Sequence, residues 1–252
     1  MNKIILTIVS MSIIFSQDDF FEPGSSIGGY GELHYNMKQE SGNQMSHGLD
    51  FHRFIIYYGY NFTERWSFKS EVELEHNYVN DGEGELELEQ AFVNYHTDRL
   101  GFAVGVVLPD VGIINRTHEP PTFLSVERPD YSKHVIPTTW FGNGFTFYGS
   151  INDIQWSLVM LEDLDGESIG AGIRSGRGKG YKTTAYSWTK NISLAYTGLD
   201  GLNVGGSYTM NDAPIDNDPD NSVSISLMEL NMQYSRNNIR AVAEYGSISY
   251  DN

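Results

Sequence analysis

Hydrophobic and polar residues alternate with a period of two along most of the chain, whereas helical periodicity is nearly absent. Segment 65–75 shows the pattern most clearly, because its apolar and its charged side chains fall on opposite faces of an extended strand. The apolar residues are Trp66, Phe68, Val72 and Leu74, and the charged residues are Lys69, Glu71, Glu73 and Glu75. The pattern predicts eleven antiparallel strands over 26–37, 50–61, 65–75, 85–96, 99–108, 143–151, 153–161, 188–197, 201–210, 222–235 and 239–249.

The predicted strands have roughly 9–14 residues, whereas the strands of a soluble sandwich usually have about 5–6. A tilted strand that crosses a bilayer needs about 9–11 residues. No segment contains 18 consecutive apolar residues, so the sequence predicts no membrane-spanning helix. Two classes remain, soluble exported β proteins and membrane β-barrels, and the strand length favours the all-β transmembrane up-and-down barrel.

The predicted connections support the same choice, because short and long connections alternate. The longer ones are 38–49, 79–84, 109–142, 162–187 and 211–221, and the short ones are 62–64, 97–98, 152, 198–200 and 236–238. Outer-membrane barrels have short periplasmic turns and longer extracellular loops. The first strand is therefore expected to run outward from the periplasm, and 109–142 is expected to be the third outside loop.

The first residues have the composition of an export signal. Lys3 precedes an apolar run from Ile4 to Phe15, and Ser16 is a small residue at its end. This arrangement is typical of a secretory signal peptide. We therefore predict a signal peptide over 1–17 and a barrel domain over 18–252, in the outer membrane of a Gram-negative bacterium.

Composition excludes several other classes of protein. The 252 residues include 16 Lys and Arg, 33 Asp and Glu and no Cys, which gives a formal net charge of −17. Without cysteine there is no disulfide framework and no cysteine-based metal site. An acidic chain does not provide the basic surface that nucleic acid binding needs.

The strand count suggests that the barrel is incomplete. Bacterial single-chain barrels have an even number of strands, because both of their termini are periplasmic. An eleventh strand over 239–249 would end at the outer face, and an open edge in lipid leaves backbone groups unpaired. We therefore expect a C-terminally truncated sequence, with a miscounted strand as the alternative.

Residues 26–175 resemble outer-membrane porins related to the phosphate-selective porin O/P group. The segments that carry the resemblance are GYGELHY (29–35), DFHRF (50–54), SEVELEH (70–76), ELEQAF (87–92), GVVLP (105–109), GIIN (112–115), HEPPTF (118–123), VERP (126–129) and IPTTW (136–140). The resemblance implies a 16-stranded homotrimeric channel, longer than this chain, whose third extracellular loop folds into the lumen as a constriction.

Segment 109–142 suits such a role on physical grounds. Its five prolines stiffen it, and long loops without regular structure are usually functional or disordered. The expected constriction residues are Arg116, His118, Glu119, Glu127 and Arg128. An outward-facing structural loop is the alternative.

The charges on the predicted strands indicate what the lumen selects. No Lys or Arg lies between Ser70 and Asp98, although acidic residues are frequent there. Charge on the lipid face costs several kcal/mol, so the charged residues of strand 65–75 should face the lumen. The expected pore-lining residues are Arg53, Lys69, Glu71, Glu73 and Glu75. Because acidic rings favour cations, we expect general diffusion of small polar solutes or ions with a weak cation preference, and no selectivity for phosphate.

One strand does not fit this assignment. Glu87 and Glu89 share a face with Val93 and Tyr95, which would mix charged and apolar residues on one side. A β-bulge or a shared interface between protomers would explain the mixture.

Other functions are less consistent with the sequence than a channel. Glu71, Glu73 and Glu75 lack the partners of a hydrolase, so no enzyme is predicted. The pairs His76 with Glu75 and His118 with Glu119 lack a ligand spacing, so no metal or cofactor is predicted. Segment 216–221 begins like a calcium loop but departs from its pattern, and an acidic extracellular loop that bridges to lipopolysaccharide is expected instead. Segment 176–180 (GRGKG) lacks the context of a phosphate-binding loop.

A secreted β-sandwich adhesin with acidic sugar- or calcium-binding loops is the alternative function. The expected partners are outer-membrane lipid and lipopolysaccharide.

Overall fold

The computed structural model describes residues 21–80, 83–125, 128–170 and 172–251, so the predicted signal peptide lies outside the described residues. The strands are β1 (Gly24–Lys38), β2 (Ser46–Asn61), β3 (Trp66–Asn80), β4 (Glu83–His96), β5 (Leu100–Val107), β6 (Gly142–Ile151), β7 (Ile154–Leu161), β8 (Thr189–Leu199), β9 (Leu202–Ile215), β10 (Asp218–Arg236) and β11 (Ile239–Asp251). The short helices are α1 (Gly112–Arg116) and α2 (Tyr131–His134), and single 3₁₀ turns lie at Pro120–Thr122 and Arg174–Gly176. No helix of the described residues is long and apolar enough to cross a membrane.

All eleven strands form one antiparallel sheet in which each strand pairs with the next along the chain. The predicted up-and-down architecture is confirmed. The alternative of a β-sandwich is wrong for the described residues, because a sandwich needs a second sheet packed on the first. Within this part of the chain, β1 and β11 each pair on one side only, so the sheet is not closed.

The two faces of the sheet differ in polarity. The face that carries no long loop is named the apolar face, and its large side chains are in cross-strand register and exposed. They include Phe54, Ile56, Trp66, Leu88, Val93, Val104, Phe147, Leu158, Ile192, Tyr208, Met228 and Leu230. The opposite face, named the loop face, carries polar rows such as Ser157, Ser193, Ser207 and Glu229. This distribution is typical of a sheet whose outside meets lipid.

A β-bulge in β4 explains the strand that did not fit. Glu71 pairs with Gln90 and Val72 pairs with Leu88, so Glu89 is the extra residue of the bulge. The side-chain alternation therefore changes phase at Glu89, and Val93 returns to the apolar face. The bulge, one of the two explanations considered, is confirmed.

The predicted alternation of connection lengths is wrong in part. Only 108–141 and 162–188 are long, and both lie on the predicted outer side. The predicted loop 211–221 is a two-residue turn, because β9 and β10 continue to Ile215 and from Asp218. Asp216 and Asn217 both have positive φ, 55° and 57°, as a type I′ hairpin turn requires. The acidic extracellular loop expected over 216–221 is therefore replaced by this turn and by an irregular start of β10, where the pairing register shifts between Asp218 and Ser222.

The hydrophobic core lies between the two long loops and the loop face. Val111, Ile136 and Trp140 of the first loop pack together with Leu164 and Ile173 of the second. The strands contribute Val107, Val159, Leu161, Ala213, Ile225 and Leu227. The loops are therefore held by buried apolar area as well as by hydrogen bonds.

Two neighbouring positions of β10 test the assignment of the faces. Leu230 lies on the apolar face, and Asn231 lies on the loop face at the same height. Leu230→Arg should lower the free energy of unfolding in lipid vesicles by about 2–4 kcal/mol, because it exposes charge to hydrocarbon. Asn231→Arg should cost clearly less, and equal losses for the two variants would contradict the assignment.

Candidate functional site

The connection between β5 and β6, residues 108–141, lies on the loop face and is named the inner loop. Near its start, the backbone N–H of Ile113 donates to Glu244 of β11 over 2.7 Å. The carboxylate of Asp110 accepts a hydrogen bond from Ser157 of β7 over 2.5 Å. Further along, Tyr30 of β1 donates its hydroxyl to Glu119. Because one loop contacts both end strands of the sheet, the sheet curves around it.

Asn115 closes the base of the inner loop. Its side chain is fully buried, and its amide nitrogen donates to the carbonyls of Pro109 (2.9 Å) and Trp140 (3.1 Å). Its amide oxygen accepts from the backbone N–H of Trp140 over 2.7 Å. One side chain thus joins the entry of the loop to its exit. The sequence does not predict this role, since a lone Asn gives no signal of its long-range partners.

The acidic side chains predicted on β3 lie on the loop face. Glu71 and Glu73 are buried beneath the inner loop, at 1% and 7% exposure. Glu75 is half-buried, and Lys69 is exposed beside Gln90. The structure therefore brings the three glutamates together with the inner loop, while Lys69 stays nearer to open space.

Arg53 joins the first three strands through ion pairs. Its Nε lies 2.9 Å from Glu32 of β1, and its Nη1 lies 3.1 Å from Glu73 of β3. Both partners are on the loop face, so one guanidinium compensates part of the acidic charge of this wall.

His118 lies at the centre of the contact between the inner loop and the wall. Its Nε2 is 3.4 Å from Glu71, 3.1 Å from Glu89 and 3.3 Å from Glu119, in each case to a carboxylate oxygen. Burial disfavours the imidazolium, but the contacts with the carboxylates of Glu71 and Glu89 outweigh it and raise the pKa of His118 to about 10. Burial and the neighbouring carboxylate of Glu71 raise the pKa of Glu119 to about 7.

A second loop, residues 162–188, brings basic side chains toward the same acidic wall. Arg177 donates to the carbonyl of Pro137 over 3.0 Å and to that of Thr139. Lys179 forms ion pairs with Glu85 (2.6 Å) and Glu87 of β4. The sequence does not predict this group, because the GRGKG pattern of 176–180 carries no signal for its long-range partners.

The other expected constriction residues have different positions. Arg128 lies near Arg174 and Arg177 and donates to the carbonyl of Thr138 over 2.7 Å. These three arginines and Lys179 are named the basic group. Arg116 pairs with Asp110 (3.0 Å) at the opposite end of the inner loop. Glu127 lies outside the described residues. The expected set is thus divided between the His118 cluster, the basic group and the β7 side of the sheet.

The family model for phosphate-selective porin O and P matches residues 27–226. The chain belongs to this porin family. A curated relative from Aquifex aeolicus (strain VF5), described as an uncharacterized protein, is 36% identical over 241 residues, which are 90% of this chain and 53% of the relative. The porin chain thus spans about half the length of the curated relative that it matches.

Solved porins share the fold of this porin family member. The complex of Salmonella typhi OmpF with daunomycin matches with a TM-score of 0.58 and 13% identity, over 88% of this chain and 65% of that one. An anion-selective porin from Comamonas acidovorans matches with a TM-score of 0.57 and 10% identity, over 90% of this chain and 69% of that one. At these identities the similarity shows the β-barrel fold alone.

Among the residues that the structure describes, two side-chain groups of this porin have the composition of a metal site. In the first, the carboxylate of Asp50 lies between Nδ1 of His52 (3.1 Å) and Nδ1 of His76 (2.9 Å), and His34 stacks on His52. Hydrogen bonds to both oxygens of Asp50 account for this arrangement. The second group consists of the carboxylates of Glu71, Glu89 and Glu119 around His118.

Removing the Asn115 amide tests whether it holds the inner loop in place. Asn115→Ala leaves the buried N–H and carbonyl of Trp140 without these partners, and should lower the free energy of unfolding by about 2–4 kcal/mol. Denaturant unfolding in detergent micelles measures the change. Thr117→Ala, an exposed position of the same loop, should change it by less than about 1 kcal/mol. Equal stability of Asn115→Ala and wild type would contradict the assigned role.

Proposed function

We propose that this porin forms a passive diffusion channel for small hydrophilic solutes and ions, narrowed by the inner loop, with a weak cation preference and no selectivity for phosphate. The observation that carries the proposal is the inner loop itself, which lies across the loop face and contacts β1, β7 and β11. A loop held inside a curved sheet narrows the path along its axis.

The charges on the loop face support the cation preference. Glu71, Glu73 and Glu75 of β3 lie there together with Glu85, Glu87 and Glu89 of β4. The basic side chains opposite them are Arg128, Arg174, Arg177 and Lys179. Arg53 and Lys69 of the wall raise the basic groups to six, and the further carboxylates of Glu32, Glu119, Glu229 and Glu244 keep the acidic groups in excess. Acidic linings attract cations and repel anions.

The hydrogen bonds of the arginines support the same view. Arg128 and Arg177 donate to backbone carbonyls of the inner loop, so these donors stabilise the loops. A phosphate path needs guanidinium groups with donors free for a moving anion. The basic group therefore produces an electric field across the constriction, opposite the acidic wall. It is less suited to bind a row of phosphate ions.

One observation favours a second candidate, the passage of phosphate or related anions. Nη1 of Arg174 is buried and has no hydrogen-bond partner among the described residues. Burial and the proximity of Arg128 lower the pKa of Arg174, and an anion bound there would relieve the repulsion. Arg174 is thus the residue whose removal should most affect anion passage.

The cellular setting belongs to the same proposal. We infer export through the periplasm by the segment 1–17, insertion into the outer membrane of a Gram-negative bacterium, contact with lipid and lipopolysaccharide, and assembly as a homotrimer. The family and the apolar face support the membrane setting. Family membership supports a channel over an enzyme.

Reversal potentials in planar bilayers under a KCl gradient test the selectivity. The wild-type channel should favour K⁺ weakly over Cl⁻. Glu75→Gln should move the reversal potential toward the equilibrium potential of Cl⁻, because it removes a negative charge from the path. Arg174→Gln should move it toward the equilibrium potential of K⁺, because it removes a positive charge from the opposite side. Lys38→Gln, outside the loops and near the end of β1, is the matched control and should leave the potential unchanged.

Phosphate separates the two candidates. General diffusion predicts that millimolar phosphate leaves the chloride current nearly unchanged in the wild type. Strong block by phosphate that Arg174→Gln removes would overturn the proposal in favour of the second candidate. Clear anion selectivity of the wild type would contradict the role given to the acidic wall.

A further inference from the structure

The four side chains around His118 form a donor set drawn from three parts of the chain. Glu71 comes from β3, Glu89 from the bulge of β4, and His118 and Glu119 from the inner loop. Each offers one ligand atom, and these atoms all lie within 4.8 Å of one another. The bulge is part of the arrangement, because it changes the phase of β4 at Glu89.

The distances match the size of a small metal ion. Nε2 of His118 lies 3.1–3.4 Å from the three carboxylate oxygens. Ligands at about 2.0–2.1 Å from a tetrahedral zinc ion are separated from each other by about 3.3 Å. The distances from Nε2 of His118 to the carboxylate oxygens therefore equal the ligand-to-ligand distances around such an ion.

The hydrogen bonds around the cluster orient its atoms inward. Nδ1–H of His118 donates to the carbonyl of Asn115 over 3.1 Å, which leaves Nε2 facing the carboxylates. Gln90 donates to one oxygen of Glu71, and Tyr30 donates to one oxygen of Glu119. Outer partners of this kind are usual around protein-bound metals.

One buried carboxylate oxygen of the cluster accepts no hydrogen bond, and its charged contact is an ion pair with His118. Within the described residues, Oε1 of Glu71 accepts no hydrogen bond and lies 3.4 Å from Nε2 of His118, and the residue is 1% exposed. A buried carboxylate oxygen in that condition costs free energy unless a cation satisfies it.

The charge of the cluster leads to the same conclusion. Among the described ion pairs, Glu71, Glu89 and Glu119 have His118 as their only basic partner. With all three carboxylates ionised, a single imidazolium leaves an excess of negative charge in a buried place. A divalent cation at the same position would neutralise more of it.

We propose that Glu71, Glu89, His118 and Glu119 bind one divalent transition-metal ion of the Zn²⁺ class, which fastens the inner loop to β3 and β4. One imidazole nitrogen with three carboxylate oxygens suits Zn²⁺ better than Ca²⁺ or Mg²⁺, which prefer six or more oxygen ligands. The ion would cross-link the loop to the wall and restrict its motion.

Metal binding to the purified, chelator-treated protein in detergent tests the proposal. Isothermal titration with ZnCl₂ should show a site that His118→Ala and Glu119→Gln each weaken by at least about 100-fold, since each removes a ligand. His52→Ala is the matched control, because it alters the other histidine group and leaves this cluster intact. Co²⁺ in the wild type should give the intense visible absorption of four-coordinate cobalt.

Each outcome decides the matter. A site that is lost with His118→Ala and Glu119→Gln and retained with His52→Ala supports the proposal. If His118→Ala fails to fold, the nearly isosteric Glu119→Gln decides together with the cobalt spectrum. A site that is lost only with His52→Ala, a pale six-coordinate cobalt spectrum, or no binding of Zn²⁺ at micromolar concentration overturns it. These readouts do not depend on conductance, so they stand or fall apart from the proposed channel function.

Discussion

A sheet that meets lipid on one side must place nearly all of its charge on the other side, and most of this structure follows from that constraint. The large apolar side chains from Phe54 to Leu230 lie in register on one face, so the glutamates of β3 and β4 are confined to the loop face. Buried carboxylates need partners, and in the described part of the sheet the neighbouring strands supply the cation Arg53 and the neutral donor Gln90. The two long loops bring the remaining partners, His118 from one and Lys179 from the other.

The loops and the sheet therefore depend on each other. Apolar residues such as Val111, Trp140 and Leu164 build the core that holds the loops against the strands. The polar contacts of Asn115 and His118 then determine where the inner loop lies on the wall. An acidic wall without the loops would carry unpaired charge, and the loops without the wall would expose their apolar side.

The fold could be predicted from the sequence largely because the strand period of two is a local signal. The faces of β3 follow from alternation alone, whereas the broken alternation of β4 left a bulge or a protomer interface open, and the pairing register places the bulge at Glu89. Connection lengths were harder, since Asp216 and Asn217 are equally common in loops and in tight type I′ turns. The site was predicted only in part: same-face glutamates can be read along a strand, whereas the approach of Arg177 and Lys179 depends on a loop fold that has no periodic signal. The resemblance to porins supplied the inward loop, which periodicity does not predict.

The central claim is that the inner loop lies inside the curved sheet and reaches the far strand, and a cross-link tests it most directly. The chain has no cysteine, so Ile113→Cys and Glu244→Cys introduce the only two thiols. Ile113 and Glu244 are in hydrogen-bond contact. The account predicts that a short bis-maleimide joins the two thiols in the folded protein in lipid vesicles, as detected by mass spectrometry of the digested chain. The account is contradicted if no cross-link forms and the thiol at position 113 reacts freely with a protein-sized, membrane-impermeant maleimide added from outside.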